Sequence, residues 1–204
     1  MDVRQPIPQR SRAQKLISAA RSTADRWRQE EQDRASYSVE QSHYPISIIV
    51  SGGQTGADRA ALDWAIQHGV PHGGWCPGGR LAEDGELHSR YHLKETESIG
   101  YRQRTKLNVS DSDGTLIVNT GELDGGTLAT RRFAESIQKS MLVITFDDGI
   151  AITTLAVRVL EWIATNSIKI LNVAGPRESK RPGIYQLTFD LLDASLNVRS
   201  ESKR

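Results

Sequence analysis

Three short glycine-bearing turns hold the residues of this sequence best suited to gripping an anion. They are Ser51-Gly52-Gly53-Gln54-Thr55-Gly56, with Asp58 just beyond; Gly121-Glu122-Leu123-Asp124-Gly125-Gly126-Thr127; and Gly175-Pro176-Arg177-Glu178-Ser179. Each follows a β-rich apolar run, and the first two lead directly into a helical pattern. The free N–H groups and the dipole of a helix N-terminus favour an anion, and glycine lets the backbone approach it closely. Thr127 adds a hydroxyl for a phosphate oxygen. Thr55 and Asp58 have capping-box spacing, with Asp in place of the usual Glu or Gln. The first turn lacks the Lys of a P-loop and the spacing of a dinucleotide fingerprint. One glycine pair before a helix is more often a tight connection than a site. Two such turns facing one crevice suit an elongated ligand with a phosphate at one end, and three together at predicted strand ends point to a site rather than idle connections.

Other candidates for chemistry are thinner. No Ser/His/Asp arrangement stands out. Cys76 precedes Pro77-Gly78-Gly79 and reads as a small buried apolar residue rather than a nucleophile or ligand. His88 and His92 are four apart, with Glu86 nearby, a spacing that binds zinc on a helix. The flanks give neither a clear helix nor a third ligand on the same face, so no metal site is assigned. Arg102, Arg104 and Lys106 form a basic cluster that ordinarily marks a solvated face; here its position before the third predicted strand could bring it to the crevice.

The elements that must position these turns alternate. Strands are predicted over 46–51, in "HGGWCP", and over 113–119, 141–146 and 168–175, with helices over 56–69, 125–140, 151–166 and 183–196. Gly69 is a good residue to end the first of these helices. Such alternation predicts an α/β fold: a doubly wound, mainly parallel sheet with helices on both faces. In such sheets ligands sit beyond the carboxyl ends of the strands. The strand over 46–51 is expected to be central, and 72–101 to form a long loop. Residues 1–45 read as a helical extension, with one helix over 12–35 and a thin apolar stripe of Leu16, Ala20, Ala24 and Trp27. Tyr44-Pro45 marks its end, since the residue before Pro avoids the helical region. The main domain spans 46–196, and 197–204 form a tail.

Composition narrows the function classes. The chain has 204 residues, 37% hydrophobic and 25% charged, and a net charge of +1, which fits one ordinary globular domain with an appendage. The small basic excess lies in 1–45, so the main domain lacks the footprint of a nucleic-acid binder. No apolar run is long enough to span a bilayer. The N-terminus has no apolar signal core and carries too many acids for a transit peptide. The lone Cys excludes an internal disulfide and fits a reducing compartment. A cytoplasmic protein is expected.

Five segments in order, "IIVSGGQTGADRAALDWA", "GVPHGGWCPGGRLAEDG", "YRQRTKLNVSDSDGTLI", "DGGT" and "LNVAGPRESKRPGIY", closely resemble the molybdenum carrier family, which includes the molybdenum cofactor carrier proteins. The resemblance spans about 46–192 and omits the N-terminal extension. It implies a Rossmann-like fold, in a wider superfamily that binds nucleotide-like ligands and includes the cytokinin-activating phosphoribohydrolases. It also implies a homo-oligomer that binds the molybdenum cofactor as cargo, protects it, and passes it to molybdoenzymes or cofactor-insertion proteins. The implied binding residues are Gly52, Gly53, Gln54, Thr55, Gly56 and Asp58; Gly125, Gly126 and Thr127; and Gly175, Pro176, Arg177, Glu178 and Ser179. The family often has Thr where this chain has Asp124, and an acid beside a phosphate is electrostatically unfavourable.

The cofactor carries a terminal phosphate, a flat pterin and an anionic metal–dithiolene head, so two helix N-termini and a row of backbone N–H groups would suit it without catalysis. The competing reading is a nucleoside-5′-monophosphate phosphoribohydrolase. Those enzymes carry a glutamate soon after the Gly-Thr pair. Here the first acid is Glu135, more than two helical turns on, leaving only Asp124 or Glu178 as substitutes. A sensor of a nucleotide-derived signal is a third possibility.

Overall fold

The computed structural model describes residues 44–146 and 149–197. The helix expected over 12–35, its apolar stripe, and the tail beyond 197 lie outside the described residues.

The main sheet is built from β1 (Ile48–Val50), β2 (His72–Gly73), β7 (Gly114–Asn119), β8 (Ser140–Thr145) and β9 (Ile170–Ala174), in the order β2-β1-β9-β7-β8. Every ladder between them is parallel. The helices are α1 (Ala57–Gln67), α2 (Tyr101–Asp111), α3 (Gly125–Ser136), α4 (Ile152–Thr165) and α5 (Ile184–Leu196). The architecture is the doubly wound α/β fold expected from the alternation, and it is Rossmann-like as the resemblance implies. One detail differs. β1 is an interior strand, but the middle of the sheet is β9, which enters between β1 and β7. Strand order depends on where each crossover returns, and hydrophobic pattern does not encode that.

On one face, α5 packs against both α1 and α4. Leu116, Val118, Ile144, Leu171 and Val173 from the strands meet Trp64, Leu155, Val159, Ile184 and Leu191 from these helices in one buried core. α1 is rich in alanine on this side (Ala57, Ala61, Ala65), which lets its backbone come close to the sheet. Just past its end Gly69 turns to φ 65°, and Val70 N–H donates to the Ala65 carbonyl at 2.9 Å, the helix stop read from the sequence. The side chains that alternate to the other face include Thr115 and Asn172, whose amide donates to the Thr115 hydroxyl at 3.1 Å. Helices α2 and α3 pack together over that face.

Residues 72–101 are not a loop. "HGGWCP" splits at Gly74. Its φ is 121°, and a Cβ there would stand 2.4 Å from the Ser51 carbonyl oxygen, so only glycine permits the bend. Before it lies β2. After it, β3 (Trp75–Cys76) leaves the main sheet and pairs in parallel with β6 (Lys94–Glu95). Between them β4 (Leu81–Ala82) and β5 (Gly85–Glu86) form a small antiparallel hairpin with Glu83 and Asp84 at its tip. Leu62, Cys76, Leu87, Tyr91 and Leu93 make a second apolar cluster beneath.

Candidate functional site

The three glycine turns follow β1, β7 and β9. These strands are neighbours and parallel, so the turns lie side by side at one end of the sheet. Gly175 makes this closeness possible. A Cβ on it would meet the Val118 carbonyl oxygen at 2.4 Å and the Ala57 side chain at 2.6 Å.

The first turn is filled largely by the protein itself. A Cβ at Gly52 would lie 1.6 Å from Nη1 of Arg104, and one at Gly53 would strike Leu93 and Leu87 at 2.7 and 2.8 Å. At Gly56, φ is 76° and the Pro176 carbonyl oxygen would be 2.5 Å away. Arg104 reaches in from α2 and donates to Asp58 Oδ2 at 2.9 Å, with both side chains largely buried. Burial pushes the Asp58 carboxyl above its ordinary range, against the pull of Arg104 and of N–H donors from Gln54 and Gly175. Asp58 thus ties the first turn, the third turn and α2 together. The capping box does not form: Asp58 receives Gln54 N–H at 3.4 Å, and Thr55 N–H goes to Gln54 Oε1 at 3.0 Å. Ala57 N–H donates to the Pro176 carbonyl at 3.3 Å, so much of the α1 N-terminus is satisfied internally.

At the third turn, Glu178 turns back to cap α5. Its oxygens accept Gly183 N–H at 2.5 Å and Tyr185 N–H at 3.0 Å. Glu178 N–H in turn donates to the Thr55 hydroxyl at 3.3 Å. Ser179 and Arg177 face Glu83 from the hairpin tip, with Ser179 Oγ at 2.5 Å and Arg177 Nη1 at 3.6 Å from Oε2. The guanidinium carbons of Arg177 and Arg104 lie 5.6 and 5.8 Å from the Tyr101 ring centre.

The second turn is different, because its glycines face open space. Nothing lies within 4 Å of a Cβ built at Gly121 or Gly126, and Gly125, at φ 47°, meets only Lys180 Nζ at 3.0 Å. The first helical bond of α3 runs from Leu128 N–H to the Asp124 carbonyl at 3.0 Å. The N–H groups of Gly125, Gly126 and Thr127 therefore precede the ladder and are the helix's orphan donors. Asp124 does not repel an anion here as an isolated acid would. Lys180 Nζ contacts its Oδ1 at 2.6 Å and Arg181 Nη2 its Oδ2 at 3.4 Å. The hydrogen bond from Lys180, followed by both cationic charges, holds its carboxyl below the ordinary range. Two cations face one acid at the mouth of α3.

Matches with known sequences and structures bear on this arrangement. Residues 49–196 match the model of the circularly permutated YpsA SLOG family. The chain belongs to this family. A crystal structure from Syntrophus aciditrophicus SB, of a protein named as a molybdenum carrier, is 50% identical to this chain and superposes with a TM-score of 0.72. That alignment covers 74% of this chain and 96% of the other. The comparison with curated proteins gives no significant match. The family match begins in β1 and ends at the close of α5, so it takes in all three turns.

Several residues beside the turns carry little signal in the sequence. Arg104 was visible only as one member of a basic cluster. It alone turns inward, while Arg102 and Lys106 stay exposed. Lys180 and Arg181 sit past the third turn yet serve the second. Glu83 had a local marker, the following Asp84-Gly85 pair, which favours a turn. The other candidates stay apart from the turns. Cys76 is fully buried in the second cluster, and burial pushes its thiol up. His72 and His92 stack at 4.9 Å, and among the described residues no group of three or more His, Cys, Asp or Glu is placed to hold a metal ion.

Proposed function

We propose that this protein binds the molybdenum cofactor as cargo, shields it, and passes it to molybdoenzymes or cofactor-insertion proteins. The observation that carries this is the mouth of α3: three orphan N–H donors on exposed glycine-rich backbone, with Lys180 and Arg181 beside them. This suits a terminal phosphate. The adjoining first and third turns, at the same end of the sheet, supply hydroxyl, amide and guanidinium donors for the rest of an elongated anionic molecule. Gln54, Thr55, Arg177 and Ser179 belong to that stretch. Gly52, Gly53, Gly56, Gly175 and Pro176 shape its backbone, and Asp58 and Glu178 fix it from behind. The name of the 50%-identical relative points to the same cargo.

Carriage is favoured over hydrolysis by what the acids do. Glu178 caps a helix, Asp124 is paired with two cations, and Glu135 pairs with Arg131 at 2.8 Å on the exposed side of α3. A carrier of this kind acts in the cytoplasm as a homo-oligomer. Among the described residues no helix is long and apolar enough to cross a membrane. The test is an anaerobic preparation of the full chain, assayed for bound pterin by fluorescence after oxidation and for molybdenum by elemental analysis. Stoichiometric pterin is expected. A preparation from a cofactor-producing host that carries none, and takes up none when the cofactor is supplied, overturns the assignment.

A further inference from the structure

The donors of the third turn already hold a carboxylate, and it comes from the chain itself. Glu83 Oε1 accepts the Thr55 hydroxyl and the Ser179 N–H, the latter at 3.3 Å. Its Oε2 accepts the Ser179 hydroxyl at 2.5 Å, with Arg177 Nη1 at 3.6 Å. Two hydroxyls, a backbone N–H and a guanidinium drawn from two turns are the donor set of an oxyanion seat. The Glu83 side chain is only 19% exposed although it stands at a hairpin tip. Burial would raise its carboxyl, but the bonds from Ser179 and Thr55 and the Arg177 charge outweigh this and hold it below its ordinary value.

The hairpin that delivers Glu83 is slight. Its register is two residue pairs, Leu81 with Glu86 and Ala82 with Gly85, too short a ladder to stand alone. Its tip is held by Glu83 and by Asp84, which takes two bonds from Arg59 at 3.1 Å while remaining 49% exposed. The half-exposed Asp84 contact is of the kind that is weak and opens readily. Beneath the tip lies a second sign of something unfinished. Gln54 is 6% exposed, and its Oε1 accepts Glu83 N–H at 2.8 Å and Thr55 N–H at 3.0 Å. Its Nε2 is buried with no hydrogen-bond partner, and buried donors are seldom left so.

We propose that Glu83 is an internal stand-in for an oxyanionic group of the ligand. The β4–β5 tip lifts when a phosphate-like group takes over Thr55 Oγ1, Ser179 N–H and Oγ, and Arg177. The same movement uncovers Gln54 Nε2 for an acceptor on the ligand. This rests on the proposed function, to which it adds a seat for the cargo's second anionic end and a cover that excludes solutes weaker than the ligand.

The test uses the full chain and inorganic phosphate, not the cargo. Wild type and Glu83→Gln are titrated while the amides of Ser179 and Gly126 are followed separately by NMR. A tip docked nine-tenths of the time lowers apparent affinity about tenfold. The variant is therefore expected to respond at Ser179 at about tenfold lower phosphate, with the response at Gly126 unchanged. Adding Ser179→Ala to the variant should abolish the gain. Equal phosphate affinity at Ser179 in both proteins overturns the proposal and leaves Glu83 a staple. In the wild type, saturating phosphate should speed amide exchange at Gly85 and Glu86. Unaltered exchange there overturns the lifting of the tip even where Glu83→Gln fails to fold. A phosphate gain in a protein that carries no pterin removes the carrier function but keeps the seat, and the reverse pair of results does the opposite.

Discussion

At the residue scale, the glycines of the first turn show how one signal can have two causes. Gly52-Gly53 reads as backbone bared for a phosphate, but Gly52 is required because Arg104 occupies the space of its side chain. The sequence displays the glycine, while the side chain that demands it lies 52 positions away and is recruited only by folding. Gly52→Ala should expel Arg104 and strand the Asp58 carboxylate, which is 2% exposed. Breaking a buried pair costs about 3–5 kcal/mol, to be read from urea unfolding; a loss under about 1 kcal/mol would mean that Arg104 has another place to sit. The hairpin tip gives a pH prediction. Arg59 hydrogen bonds hold the Asp84 carboxyl below its usual value of 3.8, and Glu83 lies below 4.5. Acids with depressed values contribute stability above their unfolded pKa, and that stability disappears as pH falls through the folded ones. Docking of the tip should thus be strongest above 4.5 and weaken progressively as pH falls below 3.8, through the depressed folded values. Exchange protection at Gly85 and Glu86, followed from above 4.5 to well below 3.8, should fall. Protection that stays level would show the tip is held by something other than these charges.

At the element scale, what was legible followed from amphipathic pattern. The strands β1, β7, β8 and β9 and the helices α1, α3, α4 and α5 each have a continuous apolar run or stripe, which marks each to within a few residues of its observed ends. α3 stops earlier than its pattern suggests, because Gln138 turns to φ 54° so that Ser140 can open β8. The helix α2 carries no such signal. "YRQRTKLNVSD" buries only Asn108, Val109 and Asp111, so it has no stripe to read. It earns its place through polar contacts. Asn108 accepts Trp75 N–H at 2.7 Å and donates to the Trp75 carbonyl at 3.0 Å, and Asp111 accepts the Trp75 indole N–H at 2.8 Å. These bonds replace ladder partners that β3 gives up when it leaves the main sheet at Gly74. Asn108→Ala should therefore orphan two backbone groups and cost about 2–3 kcal/mol in chemical denaturation. An effect near zero would show that water takes over. Gly74→Ala, with its forced contact on Ser51, should be worse and should release β3 and β6 together, visible as joint loss of amide protection at Trp75, Cys76 and Thr96.

At the scale of the whole molecule, the fold brings residues from three distant turns to one end of a parallel sheet and then uses most of their acids for structure. This supports the proposed carrier role over hydrolysis, and it suggests where to intervene. Thr127 is 5% exposed, so a charge placed there would disturb packing as well as ligand. Gly126 is exposed with open space around it and a φ that any residue adopts. Gly126→Asp should be tolerated by the fold, since a negative charge in a helix's first turn is neutral or favourable. Its carboxylate would sit where the phosphate is proposed to bind and would be bonded by the same N–H groups. The lost charge-assisted contact alone is worth about 1.5–3 kcal/mol, so cofactor affinity should fall by more than about tenfold while the melting temperature stays within a few degrees. Gly126→Ala is the control and should keep both. Glu178→Gln gives the second arm. It weakens the cap on α5, at a cost of about 1 kcal/mol, and should leave cofactor binding intact. Incubated with nucleoside monophosphates, the wild type should release no free base above a buffer control. Base release that is lost in Glu178→Gln and in Gly126→Asp but kept in Gly126→Ala would make the mouth of α3 a hydrolytic site and end the carrier assignment.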